Sequence, residues 1–371
     1  MVVAQTSKTT LYGERLLTMK IIYKKLLALG ICLSLICACS TGCATAPGTN
    51  IKGKINIVCT VFPQYDWVIN LLGDRADEYN VTLLVDNGVD IHSYQPSARD
   101  IVTIATCDLF IYVGGESDSW VDDVIAQADN PDMHVINMMD VLGDNTYAEE
   151  LVEGMEDEGE GSSLSDLFSS NEHKHNHEHE HEEDCDEHEH EHVEYDEHIW
   201  LSLKNATIIC SSIFDELCKL DEGFSSSYED AFNQYTDAIL ALNSQYEDTV
   251  ESSDNKVLLF GDRFPFRYMA EDYGLEYYAA FPGCSAETEA SFETIVFLSD
   301  KMDELSLNHV CVTESSDQSL AGTIIDNADT DTADIVIFDS MQSVCITNSN
   351  QHVSYLGIME YNLASLKKAL D

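Results

Sequence analysis

The sequence predicts an α/β protein of two lobes, each a mostly parallel sheet flanked by helices, joined by one long rigid helix. Three observations lead there. Short β-branched runs alternate with helical patterns in the first third of the chain, the same alternation resumes in the last third, and a long amphipathic stretch separates the two. Strands alternating with helices at this spacing mean βαβ units and parallel pairing.

The elements follow in order. Ile55-Asn56-Ile57-Val58-Cys59-Thr60-Val61 reads as a buried strand. A helical pattern from Trp67 to Leu72 comes next, then a strand from Tyr79 to Val85. Ala98 to Thr106 is helical and leads into the strand Leu109 to Val113, closed by Gly114-Gly115. The helical piece Trp120 to Ala128 precedes the strand His134 to Asn137. The pattern then breaks: the 55 residues from Asp144 to His198 hold 22 acids and one lysine. Nothing there can form a core, so a disordered insertion is expected over 144–197. Order returns at Ile199-Trp200-Leu201, followed by helices over about 206–220 and 226–250. The second carries Tyr228, Phe232, Tyr235, Ile239, Leu242 and Tyr246 at spacings of three and four, one long apolar face. Beyond it come strand 257–260, helix 268–273, strand 277–281, helix 292–305, strand 309–313, helix 319–328, strand 335–338 and a final helix, 355–370.

Of 371 residues, 18 are Lys or Arg and 68 are Asp or Glu, a net charge of −50. That excludes nucleic acid and anionic membrane surfaces as main partners, because each phosphate contact wants a cation. Apolar residues make up 44 %, enough for an ordinary core, and the length suits two domains.

The N-terminus reads as an export signal. Met19-Lys20-Ile21-Ile22-Tyr23-Lys24-Lys25 is a basic start, and the apolar run from Leu26 to Cys39 is too short to span a bilayer comfortably. Polar residues ahead of Met19 spoil the pattern, so translation is expected to start at Met19. The run ends in Ile36-Cys37-Ala38-Cys39-Ser40-Thr41-Gly42-Cys43, which resembles a bacterial lipobox. Cys39, with Ile36 three before it and Ala38 directly before it, is the expected lipidation site; Cys43, with polar Ser40 at the apolar position, is the alternative. The chain thus divides into a signal with lipobox (1–43), a tether (44–54), an N-terminal lobe (55–205) carrying the insertion, a helical segment (206–252) and a C-terminal lobe (253–371). Eight cysteines beyond the signal are scattered without a C-x-x-C pair and read as small buried hydrophobes.

The loudest chemical signal lies in the insertion. His173, His175, His177, His179 and His181, then His188, His190 and His192, alternate mainly with Glu. Imidazole is the commonest nitrogen ligand for zinc, and adjacent carboxylates offset the ion's charge, so this segment is expected to capture several ions loosely. His177-Glu178-His179-Glu180-His181 and His188-Glu189-His190-Glu191-His192 satisfy H-E-x-x-H. That motif needs an apolar helix packed in a cleft, and every neighbour here is polar, so a protease is excluded. Two further histidines sit in better-structured settings. His92 lies in Gly88-Val89-Asp90-Ile91-His92-Ser93-Tyr94, just past a strand's carboxyl end where α/β ligands bind. His198 stands where the chain re-enters order, in Asp196-Glu197-His198-Ile199-Trp200-Leu201-Ser202.

Together these two motifs resemble the zinc and manganese substrate-binding lipoproteins of bacterial ABC importers, and the acidic His-rich insertion fits the zinc branch. Val113-Gly114-Gly115-Glu116 with Trp120, Tyr273-Gly274-Leu275, Phe338-Asp339-Ser340 and the ending Tyr355 to Leu363 also match, so the resemblance covers nearly all of the mature chain. It implies metal held in a cleft between the lobes, with His92, His198 and Asp339 as ligands. It departs at a fourth position, where the family has His or Glu and this chain has Arg263, a permanent cation that cannot ligate zinc. Adjacent Asp262, a water, or a histidine from the insertion are the alternatives for that place. Arg263 paired with a carboxylate such as Glu314 or Glu287 is a structural reading.

The expected function is extracytoplasmic capture of Zn²⁺, with Mn²⁺ less favoured, and delivery to a membrane permease. The protein is expected to be a lipid-anchored monomer on the outer face of a bacterial membrane, and not an enzyme. Two imidazoles with one carboxylate suit zinc; manganese, being harder, prefers more oxygen. A metal-dependent hydrolase, which a three-ligand open site would permit, and a surface metal buffer without a transporter are the other readings.

Overall fold

Residues 50–86, 88–155, 194–285, 289–330, 333–346 and 353–371 are described by a computed structural model. Two four-stranded parallel sheets organise them. The first contains β1 (Asn56–Cys59), β2 (Asn80–Leu83), β3 (Leu109–Tyr112) and β4 (His134–Asn137), in the order β2-β1-β3-β4. The second contains β5 (Val257–Phe264), β6 (Glu276–Pro282), β7 (His309–Thr313) and β8 (Asp334–Phe338), in the order β6-β5-β7-β8. Every strand pair is parallel. The two sheets therefore repeat one topology, and β6 takes the edge place that β2 holds in the first.

Helices α1 (Phe62–Leu72), α2 (Ala98–Ala105), α3 (Val121–Ile125) and α4 (Met138–Leu142) belong to the first lobe. The α1 helix begins five residues before the expected Trp67. Gln64 explains it: its Oε1 accepts the Thr60 and Val61 N–H groups, while Pro63 sits in the first turn, where a missing N–H costs nothing. Ser97 and Asp100 form a reciprocal capping box that starts α2. The chain crosses to the second lobe through α5 (Leu203–Leu220) and α6 (Ser225–Ser252). At 28 residues, α6 spans about 42 Å. Its buried face is Tyr228, Tyr235, Ile239, Leu242, Tyr246 and Val250, as the spacing predicts, with Phe232 half-buried beside Phe214. In the second lobe α7 (Arg267–Tyr273), α8 (Phe292–Glu304) and α9 (Ser319–Asn327) flank the sheet, and α10 (Tyr355–Ala369) closes the chain.

One apolar cluster runs through both halves. It joins Ile57 and Ile111 of the first sheet, Ile209 of α5 and Tyr246 of α6 to Phe260, Cys311 and Phe338 of the second sheet and Leu363 of α10. The long helix is thus packed into a shared core rather than bridging through solvent. Tyr246 Oη donates to the Met359 carbonyl at 2.7 Å, and Tyr355 Oη to the Trp200 carbonyl at 2.8 Å, satisfying polar tips deep in that core.

Two expectations are revised. The β5 strand runs to Phe264 rather than Phe260, because a register shift between Phe260 and Arg263 lets Arg263 and Phe264 pair with Phe281 and Pro282. The ends of the acidic insertion are ordered: Glu149 N–H donates to the Glu194 carbonyl at 2.8 Å and Asp196 N–H to the Tyr147 carbonyl at 3.0 Å, forming a short antiparallel stem. The histidines from His173 to His192, and Met19, Cys39 and Cys43, lie outside the described residues. Among those described, no helix is long and apolar enough to cross a membrane.

Candidate metal centre

The carboxyl ends of the two sheets face a common site. On the first side, Asp90 caps a single turn, Ile91–Ser93, by accepting the His92 N–H at 3.0 Å, and buried Ile91 anchors it. This local turn sets the direction of the imidazole. His92 Nδ1 lies 2.9 Å from Ser117 Oγ and 3.5 Å from Glu197 Oε2. Glu197 Oε1 accepts the Ser117 N–H at 2.8 Å, while Oε2 is buried without a hydrogen bond. His198 is fully buried, and its Nδ1–H donates to Asp196 Oδ1 at 2.9 Å. Asp196 Oδ1 also accepts the His198 backbone N–H at 2.8 Å, and the Trp200 ring lies edge-on to the imidazole. A carboxylate on one imidazole nitrogen fixes the tautomer and leaves the other nitrogen as a lone pair, the usual arrangement behind a metal-binding histidine.

The Nε2 atoms of the two histidines meet. His92 Nε2 and His198 Nε2 are 3.2 Å apart. With the His92 proton on Nδ1, toward Ser117 and Glu197, both Nε2 atoms carry lone pairs that cannot bond to each other, and a donor or a cation satisfies both. Here the donor is the Gln342 side-chain amide, whose nitrogen lies 3.2 Å from His92 Nε2 and also contacts His198 Nε2. Burial, followed by the neighbouring His198, lowers the His92 pKa to about 4, so at neutral pH this imidazole is uncharged and able to ligate.

The second side differs from expectation in its members. Arg263, where the resemblance leads one to expect a ligand, places one guanidinium nitrogen 2.9 Å from Asp90 Oδ2 and donates from another to the Ser285 carbonyl at 3.1 Å. It braces the His92 turn from the opposite lobe. Its partner is thus Asp90 rather than Glu314, and Glu287 lies outside the described residues. Asp262 is engaged elsewhere: Oδ2 accepts the Thr313 N–H at 3.0 Å and hydroxyl at 2.5 Å, and Oδ1 accepts the Arg263 N–H at 2.8 Å. Asp339 follows β8 and accepts the Met341 N–H at 2.9 Å, with its backbone held on both sides by Asn362. Burial, and then the charge of Glu314, pushes its pKa up to about 6. Glu314 in turn is fixed by the Ser340 N–H at 2.8 Å and hydroxyl at 2.9 Å.

Among the described residues, one group of three ligand-type side chains has its donor atoms all within 4.8 Å of one another: His92, His198 and Cys284. The structure gathers the two histidines named from sequence, leaves Asp339 outside that group, and adds a cysteine read only as a buried hydrophobe. Cys284 comes two residues after β6 ends, and its N–H donates to Glu149 Oε1 at 2.9 Å. Gly283 makes the approach possible. A Cβ there would lie 2.9 Å from the Phe264 carbonyl oxygen and 3.2 Å from His198 Nδ1. Burial, then the carboxylates of Asp196 and Glu149, raises the thiol's pKa in the metal-free protein. The signal that could have found it is positional: a Gly-Cys step directly past the carboxyl end of a strand.

Comparison with known proteins places this geometry in context. The family model described as ZnuA, zinc-uptake complex component A periplasmic, matches residues 57–369. The zinc-binding lipoprotein AdcA of Streptococcus pneumoniae is 27 % identical over 346 residues, covering 93 % of this chain and 60 % of its own length. The high-affinity zinc uptake system protein ZnuA of Bacillus subtilis is 24 % identical over 345 residues, covering 93 % of this chain and 97 % of the relative. The Zn(II)-bound ZnuA-like domain of Streptococcus pneumoniae AdcA superposes with a TM-score of 0.62 at 23 % identity, over 86 % of this chain and 100 % of that one. That last likeness speaks for the two-lobe fold. The chain spans about three fifths of the AdcA relative's length.

Proposed function

The chain belongs to the ZnuA family of zinc-uptake components, and we propose that it is the extracytoplasmic zinc receptor of an ABC importer. It takes a Zn²⁺ ion between its lobes and passes it to a membrane permease. In this reading it is a monomer, tethered by lipid at Cys39 or Cys43 to the outer face of the membrane, and no residue has a catalytic role.

The observation that carries the reading is the pair of buried imidazole nitrogens 3.2 Å apart, each turned inward by an oxygen on its far nitrogen. Two nitrogens bound tetrahedrally at roughly 2.0–2.1 Å from zinc are about 3.3 Å apart, so the spacing suits one ion with little movement. Gln342 holds the place a cation would take. Loading then exchanges one amide donor for the ion, and the Gln342 turn moves aside. Asp339, three residues earlier on that turn, is the carboxylate ligand in this reading. It reaches the ion when the turn moves, and Met341 between them already sits at φ 61°, a left-handed conformation uncommon for a side chain this size. The buried Glu197 Oε2 supplies the outer carboxylate, closing on His92 Nδ1–H as the ion polarises the ring.

The −50 charge raises the cation concentration at the surface, although screening limits its reach to about 8 Å at physiological salt. The histidine-rich segment serves as a loose collector beside the tight site. Zinc titration separates the two. The tightest binding event should vanish in His92→Ala and persist in a chain lacking 171–192. The reverse pattern would replace the receptor by a surface buffer.

A further inference from the structure

We propose that Cys284 is a zinc ligand, giving the centre a sulfur donor in place of the family ligand that Arg263 displaces; this rests on the zinc-receptor reading above. Four features of the structure lead to it. The first is proximity: Cys284 Sγ lies within 4.8 Å of ligand nitrogens of both His92 and His198. Tetrahedral zinc with Zn–S of about 2.3 Å and Zn–N of about 2.05 Å wants S and N roughly 3.6 Å apart, a shift of an ångström or so.

The second is topology. With strand orders β2-β1-β3-β4 and β6-β5-β7-β8, the loop after β6 is the second sheet's counterpart of the loop after β2. His92 comes from one and Cys284 from the other, so the ion is approached by equivalent loops of the two lobes. The third is construction. Gly283 admits the chain against the His198 ring, and Glu149 fixes the Cys284 N–H, so contacts on both sides hold the residue in place. The fourth is Arg263 itself. Its guanidinium binds the carbonyl of Ser285, next to Cys284, and the carboxylate of Asp90, two before His92. The residue that cannot ligate instead ties together the two loops that do.

Charge favours the same set. Two neutral imidazoles, one thiolate and Asp339 balance a dication in a largely buried site, where a net charge is costly. On binding, the S–H bond is replaced by S–Zn and the proton leaves to solvent. A thiolate also biases selection: it suits zinc and disfavours manganese, which prefers oxygen.

Cobalt(II) titration of the full-length chain, followed by near-ultraviolet absorption, tests this directly. Thiolate-to-cobalt charge transfer should grow with the first equivalent, persist in Cys185→Ser and disappear in Cys284→Ser. Zinc affinity in Cys284→Ser should fall by roughly 10–100-fold or more, the range that even outer-shell changes reach. If that variant does not fold, the wild-type and Cys185→Ser spectra together decide the matter. Tight cobalt binding without the sulfur band, or a band lost only in Cys185→Ser, overturns the thiolate ligand and leaves the zinc receptor standing. A wild-type chain that binds neither ion tightly overturns both.

Discussion

The two sheets share a strand order but build their sides of the cleft differently. Past β2, the contacts on the His92 backbone and Nδ1 come from its own lobe, Asp90 on the backbone with Ser117 and Glu197 on Nδ1, and only Nε2 meets the second lobe, at Gln342. Past β6, Cys284 is held by Glu149 from the other lobe, and Arg263 extends back across to Asp90. The first side sets its ring direction mainly from within, and the second depends more on contacts across the gap. The first side thus keeps its Asp90, Ser117 and Glu197 contacts while the lobes move, whereas the contacts of Cys284 and Arg263 form only when they are together.

The largest effect should come from the first side. His198→Ala removes a fully buried imidazole that the receptor reading makes a ligand, and zinc calorimetry should record loss of the tight site. Retention would place the site elsewhere. Next comes pH. His92 titrates near 4 in the folded protein against about 6.5 when unfolded, so its depressed value contributes stability at neutral pH. As pH falls from 6.5 the unfolded chain takes up the proton first, and that stability, about 3 kcal/mol at most, drains away by pH 4. Asp118, raised to about 7 by burial, and Asp339 work in the opposite sense. The difference between wild type and His92→Asn in metal-free denaturant melts therefore isolates the effect, and a pH-independent difference would contradict it.

The braced side predicts smaller losses. Gly283→Ala forces a methyl against the Phe264 carbonyl and should cost about 2 kcal/mol of stability while weakening zinc binding. Arg263→Met strands the Asp90 carboxylate and should cost about 1.5 kcal/mol. If bracing matters, this variant also loses zinc affinity despite leaving every ligand intact; unchanged affinity would mean that the two sides act independently.

The same contrast separates the parts of the site that are legible in the amino-acid sequence from those that are not. His92 and His198 sit in compact motifs whose own residues, Asp90 and Asp196, orient them, so short sequence windows contain nearly the whole arrangement. The strands are equally legible, because buried parallel strands are continuous β-branched runs. Cys284, Arg263 and Gln342 owe their roles to partners at separations of 86, 173 and 144 or more residues, which no local pattern encodes. The chemistry of Arg263 rules it out as a ligand, but nothing near it in sequence points to Asp90 as its partner. The early start of α1 is hidden for a local reason: Gln64 turns its side chain back on the backbone, which periodicity does not register.

Anomalous scattering at the zinc edge, from crystals of the loaded full-length protein, tests the central claim most directly. A single strong peak within about 2.1 Å of both His92 Nε2 and His198 Nε2, with the Gln342 amide displaced, is the expected result. Gln342 still seated on both imidazoles, and zinc found only along the histidine-rich segment, would contradict it.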